Sequence, residues 1–177
     1  MTPKPRSVLV ALGVLSSALL VPTPAVASQV ADKAVTVLGC VATSTAQYQP
    51  GITLTPRNVD VDVSASLSGC TGVAGITAGT VHAQGEGTLS CATGTYHVSG
   101  ETTWNDGTVS YFSNAVVYSL RPGGSVVAVV SGTIDSGRFA GATTTTTAVL
   151  ANTDPAACLS SEGVTSGSGV GAYALTL

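Results

Sequence analysis

The strongest constraint on this chain is a repeated alternation of apolar and polar side chains. Between Asn58 and Ser68, Val59, Val61, Val63, Ala65 and Leu67 take every second place, and Asn58, Asp60, Asp62, Ser64 and Ser66 fill the places between. Successive side chains of a strand point to opposite faces, so this run has one dry face and one wet face. The pattern returns in Val81 to Cys91 and again from Tyr96 to Trp104. No apolar period of 3.6 residues follows Ala27. The chain is therefore expected to be all-β and antiparallel, because antiparallel sheets tolerate one face in water.

Turn chemistry divides these runs. Asp106-Gly107 between strand-like runs favours a two-residue type I′ hairpin. That register pairs Trp104 with Val109 and Thr102 with Tyr111, and it puts Tyr96, Trp104 and Tyr111 on one apolar face. Arg121-Pro122-Gly123-Gly124 predicts the next turn. Val126 to Val130 then has no polar face, as expected of a central strand covered on both sides. Asp135 to Gly141 turns into a strand over Thr143 to Leu150, with Arg138 and Asp135 expected to pair or cap that turn. Residues 152–169 are expected to be a long loop, Val170 to Leu177 a last strand, and Val35 to Cys40 a first one. The total of eight or nine strands predicts an antiparallel β-sandwich, with a closed β-barrel as the alternative. The two differ in whether the first and last strands pair.

The first 27 residues carry an address. Lys4 and Arg6 form a basic head, Ser7 to Val21 is free of charge, and Ala25-Val26-Ala27 supplies small residues for cleavage. Together these predict a signal peptide over 1–27 and a single secreted β-domain over 28–177. Removing it leaves four Lys+Arg (six minus Lys4 and Arg6) against nine Asp+Glu, a net charge of −5. No basic patch exists to neutralise phosphates or anionic lipid, so neither nucleic acid nor, after cleavage, a membrane is an expected partner. Four cysteines in an exported chain predict two disulfides among Cys40, Cys70, Cys91 and Cys158. Matching strand residue with strand residue favours Cys40–Cys91 and Cys70–Cys158 over Cys40–Cys70 and Cys91–Cys158. Val37-Leu38-Gly39-Cys40 has the outline of a lipobox, but Asp32 and Lys33 separate it from the apolar run, which argues for release rather than lipid anchoring.

Gly87-Thr88-Leu89-Ser90-Cys91, Trp104-Asn105-Asp106-Gly107, Ser131-Gly132-Thr133-Ile134 and Glu162-Gly163-Val164-Thr165 stand in an order that resembles small exported actinobacterial proteins of unknown function. The resemblance implies a secreted β-fold and no catalytic residues. Gly137 to Ala142 is similar to the Gly-x-Gly-Arg-Phe-x-Gly-Ala hairpin of bacterial dirigent-like and allene-oxide-cyclase-like barrels, with Asp135 where that pattern has Gly. The composition also resembles the enediyne-carrying apoproteins, whose close cysteine spacings are absent here.

Catalytic motifs are missing: there is no Gly-x-Ser-x-Gly elbow, no His-Glu-x-x-His and no phosphate-binding glycine loop. His82, Glu86, His97 and Glu101 are the titratable residues with any clustering, and alternation puts all four on a wet face. Four strand residues separate His82 from Glu86, about 13 Å, too far to share an ion directly. A non-enzymatic protein without cofactor or metal is thus favoured, and an enzyme would require those four to converge. Trp104, Tyr96 and Tyr111 are the candidate ligand-binding residues, since aromatic faces stack on sugars, although their shared face is apolar. The leading expectation is an extracellular binding or structural domain contacting polysaccharide or protein. The alternative is a barrel holding a small apolar ligand.

Overall fold

The computed structural model describes residues 35–120, 126–151 and 156–177. The signal peptide over 1–27 and the turn at Arg121-Pro122-Gly123-Gly124 lie outside the described residues. Eight strands follow in chain order: β1 (Thr36–Ile52), β2 (Arg57–Thr71), β3 (Gly79–Leu89), β4 (Thr93–Trp104), β5 (Val109–Leu120), β6 (Val126–Gly137), β7 (Thr143–Leu150) and β8 (Val164–Thr176). Each pairs antiparallel with the next, and β1 pairs with β8 in a ladder from Thr36 opposite Thr176 to Ile52 opposite Val164. The sheet is therefore a closed barrel and not the expected sandwich. Alternation reads the same in both architectures; only the pairing of first and last strands separates them, and that is a contact between the two ends of the chain.

Closure depends on small residues. Strand β8 was expected to begin at Val170, but it begins at Val164. Its Ser- and Gly-rich start resembles a loop in composition, yet the glycines are needed where β7 presses close. A Cβ at Gly171 would lie 2.2 Å from the Thr147 carbonyl oxygen, and one at Gly169 would lie 2.6 Å from that of Val149. Strand β1 likewise runs past its expected end at Cys40 to Ile52, carrying Ala42, Ser44 and Ala46. Pro50 and Gly51 form the tail of this strand, where the register against β8 skips from Gln47 to Ile52.

A barrel wall has one sheet, so no strand is covered on both faces. Val126 to Val130 is accordingly not a central strand: Ala128 is buried, whereas Val129 is exposed on the outer wall opposite Tyr118 and Thr147. Its outward valines continue onto Val149, Val170 and Val41 of β7, β8 and β1, all exposed. This side of the barrel is neutral, Val- and Thr-rich. Asp60, Asp62, His82, Glu86 and His97 are exposed on the opposite wall, β2 to β4.

Both disulfides form, with the pairing that strand matching disfavoured: Cys40–Cys70 and Cys91–Cys158. Strand β2 continues to Thr71 and brings Cys70 beside Cys40 on β1, at a register shift between Gly39 and Val41. Cys40 stands near the start of β1 and Cys91 follows β3, so the two lie at opposite ends of the barrel and cannot meet. Two disulfides suit an oxidising, extracellular type of environment. Among the described residues no helix is long and apolar enough to cross a membrane.

Candidate functional site

The two ends of the barrel differ. One end gathers the β2–β3, β4–β5 and β6–β7 connections and is filled. Trp104, 2% exposed, stands edge-on to Phe139 with ring centroids 5.4 Å apart and to Tyr173 at 6.1 Å. Its indole nitrogen donates to Ser110 Oγ at 2.9 Å, and that hydroxyl donates to the Arg138 carbonyl. Leu38, Leu175 and Ile76 complete the plug. Asn105 seals it from outside: its Oδ1 accepts from the amides of Thr77 (2.9 Å) and Ala78 (3.2 Å), and its Nδ2 donates to the Gly75 carbonyl at 2.9 Å.

The hairpin at this end also corrects the expected register. Trp104 N donates to Thr108 O, so the loop is Asn105-Asp106-Gly107, three residues long, with Gly107 at φ +82°. A type I turn closed by a left-handed glycine is the usual three-residue hairpin loop. Thr103 now faces Val109 and Glu101 faces Tyr111. A slip of one residue exchanges the faces of a strand. Phe112 goes into the barrel and Tyr111 goes out, 47% exposed. Arg138 does not pair with Asp135. It pairs with Asp106 at 2.6 Å, while the Asp135 carboxylate accepts from Ser113 Oγ at 2.7 Å. Hydrogen bonds from Thr108, with Arg138 adding to them, hold the Asp106 carboxyl below its ordinary pKa.

The other end is hollow. A cavity of about 140 Å³ lies between the walls, lined by Tyr48, Ile52, Leu89, Tyr96, Leu150 and other largely apolar neighbours. The volume is close to the roughly 150 Å³ of an apolar cavity that stays dry and takes up benzene. No lining residue is charged. Small side chains create the space: Ala42, Ala46, Ala83, Ala128 and Ala148 point inward where larger residues would fill it. The Cys91–Cys158 disulfide staples the β3–β4 turn to a short 3₁₀ turn, Ala157–Leu159. The β1–β2 connection joins them, with Cys91 N donating to Thr53 O at 2.8 Å and Leu54 N to Cys158 O at 3.3 Å.

Polar groups inside are few, and burial controls them. Burial, with Tyr48 as neighbour, pushes the Tyr96 phenol far above its ordinary range. Burial also raises Tyr173, and the nearby hydroxyls of Thr144 and Thr102 offset part of that rise. Neither threonine meets Tyr173 in hydrogen-bonding geometry, however. The Tyr173 hydroxyl and Thr102 Oγ1 are both buried without a partner in full hydrogen-bonding geometry, and buried hydroxyls met so loosely cost stability.

The sequence candidates thus separate. Tyr96 lines the cavity, Trp104 belongs to the plug, and Tyr111 is on the outer wall. His82, Glu86 and His97 are exposed and Glu101 partly so, with His82 opposite Glu101 and Glu86 opposite His97. Among the described residues no group of three or more His, Cys, Asp or Glu is placed to hold a metal. The missed site is one of inward alanines, whose only sequence signal was small residues at the apolar positions of the alternation. No family model, curated protein or solved structure matches the chain.

Proposed function

We propose that this protein is a secreted, non-enzymatic carrier for one small, neutral, apolar molecule held inside the barrel. The observation that carries the reading is the uncharged cavity of about 140 Å³ at one end of a barrel whose other end is solidly packed. Burial of apolar surface supplies affinity at about 25 cal/mol per Å², and a charged ligand would lose its hydration without gaining a counter-ion. Calorimetric titration with toluene tests it. Binding is expected to the wild type, and none to Ala128→Leu, whose ladder neighbours Ser119 and Ala148 are small enough to let the new side chain enter the cavity. Equal binding by both proteins would place the ligand elsewhere. Export is part of the proposal: secreted material should begin at Ser28, and retention of Met1 would refute that part.

A second reading, contact with extracellular polysaccharide or protein, has Tyr111 and Tyr118 in its favour, both exposed on β5. Retention on chitin, cellulose or peptidoglycan that is lost in Tyr111→Ala would support the glycan form, and no retention on any of them would remove it.

A further inference from the structure

We propose that the carried molecule bears a single hydrogen-bonding oxygen, a phenol or ketone on one ring, seated on the hydroxyl cluster of Thr144, Tyr173 and Thr102. This rests on the carrier reading and adds an orientation and a ligand class to it.

The cavity is not uniformly apolar. Thr144 and Tyr173 line it at the boundary with the plug, and Thr102 lies behind them with no solvent exposure. Other groups of the plug are paired, the Trp104 nitrogen with Ser110 and Ser110 with the Arg138 carbonyl, although Arg138 Nε is buried without a partner. Among the described residues Tyr173 and Thr102 carry the two buried hydroxyls without a partner, and both lie at the floor of the cavity. A hydroxyl both donates and accepts, so the cluster can satisfy a ligand oxygen of either kind and be satisfied by it. At the far end of the cavity Ile52, Leu89, Leu150 and Val164 supply hydrocarbon, beside Tyr48, Tyr96, Ser90 and Ser119. A ligand with its oxygen at the floor and its ring toward that end buries both parts in matching surroundings. The volume limits it to about one ring. Absence of lining charge makes it neutral.

The same protein discriminates between toluene and p-cresol, which share a ring and a methyl group and differ by one hydroxyl. In an apolar cavity the phenol should be excluded, because its hydroxyl would lose water without replacement. Here p-cresol should bind at least as tightly as toluene. Tyr173→Phe should lower the p-cresol to toluene affinity ratio about tenfold. Thr144→Val, at the cavity edge of the cluster, should act in the same direction and serves if Tyr173→Phe fails to fold. Toluene binding with p-cresol excluded, or a ratio unchanged in both variants, overturns the oriented ligand and leaves the carrier standing. Failure of the wild type to bind either compound overturns the carrier and this inference with it.

Discussion

The packed end and the hollow end of the barrel are built from the same strands and stapled by one disulfide each, yet their interiors are opposite. At the packed end the inward positions hold Trp104, Ile134 and Leu175, with Phe139 and Ile76 folded in from the connections. At the hollow end Tyr48, Ile52, Leu89, Tyr96 and Leu150 are spaced by Ala42, Ala46, Ala83, Ala128 and Ala148. All eight strands pair with both neighbours around the barrel, so the cavity is a matter of side-chain volume and not of a missing strand. An eight-stranded barrel has an interior just wide enough for side chains to fill or for one small ligand to occupy. This chain does one thing at each end. Stability is expected to concentrate in the plug and binding in the hollow.

Trp104 gives the largest test. Truncation to Ala removes the ring that Phe139 and Tyr173 pack against and leaves Ser110 without its donor. A loss of about 3–5 kcal/mol in denaturant unfolding is expected, whereas Ala128→Leu at the hollow end should change stability by no more than about 1 kcal/mol. Similar losses from both would mean that the two ends do not divide their roles.

The disulfides come next. Cys91–Cys158 spans 67 residues and Cys40–Cys70 spans 30, so chain entropy assigns them upper values of about 4.4 and about 3.6 kcal/mol. The stability difference is small, and binding should separate them. Replacing Cys91 and Cys158 by Ser frees the connections above the cavity and should speed toluene release. Replacing Cys40 and Cys70 should leave release unchanged. Stopped-flow displacement measures both, and equal rates would remove the staple's connection to the cavity.

Alkaline pH gives the smallest effect. Tyr96 lines the hollow and Tyr173 joins hollow to plug, and burial raises both phenols above the unfolded value of about 10. Below pH ~10 both chain states keep these protons and the stability contribution is full. Above it the unfolded chain releases them first, so stability falls as pH rises. Tm should be level from pH 7 to 9 and decline beyond 10, less steeply in Tyr96→Phe. An identical decline in that variant would assign the effect to other groups.

Much of the wall was legible in the chain. Asn58 to Ser68 and Tyr96 to Trp104 display their inward and outward faces, because one face meets water and the other does not. The hairpin after Trp104 was legible as a turn but not in its length, since Asp-Gly serves both two- and three-residue loops; one added residue sent Tyr111 outward. The start of β8 was hidden because Ser and Gly favour loops locally, and only the neighbouring strand makes their small size an advantage. The cavity was hidden for a related reason. An inward alanine reads as apolar in an alternation, and whether it leaves space depends on the residues that face it across the barrel.

Local sequence thus determined by itself the all-β class, most strand faces and the readiness of four cysteines to form two bridges, because period, turn residues and thiol count act over a few neighbours or none. Closure of β1 onto β8, the partner of each cysteine, and the division into plug and hollow were decided only by the tertiary structure. Each depends on residues far apart in the chain meeting at a distance of a few ångströms.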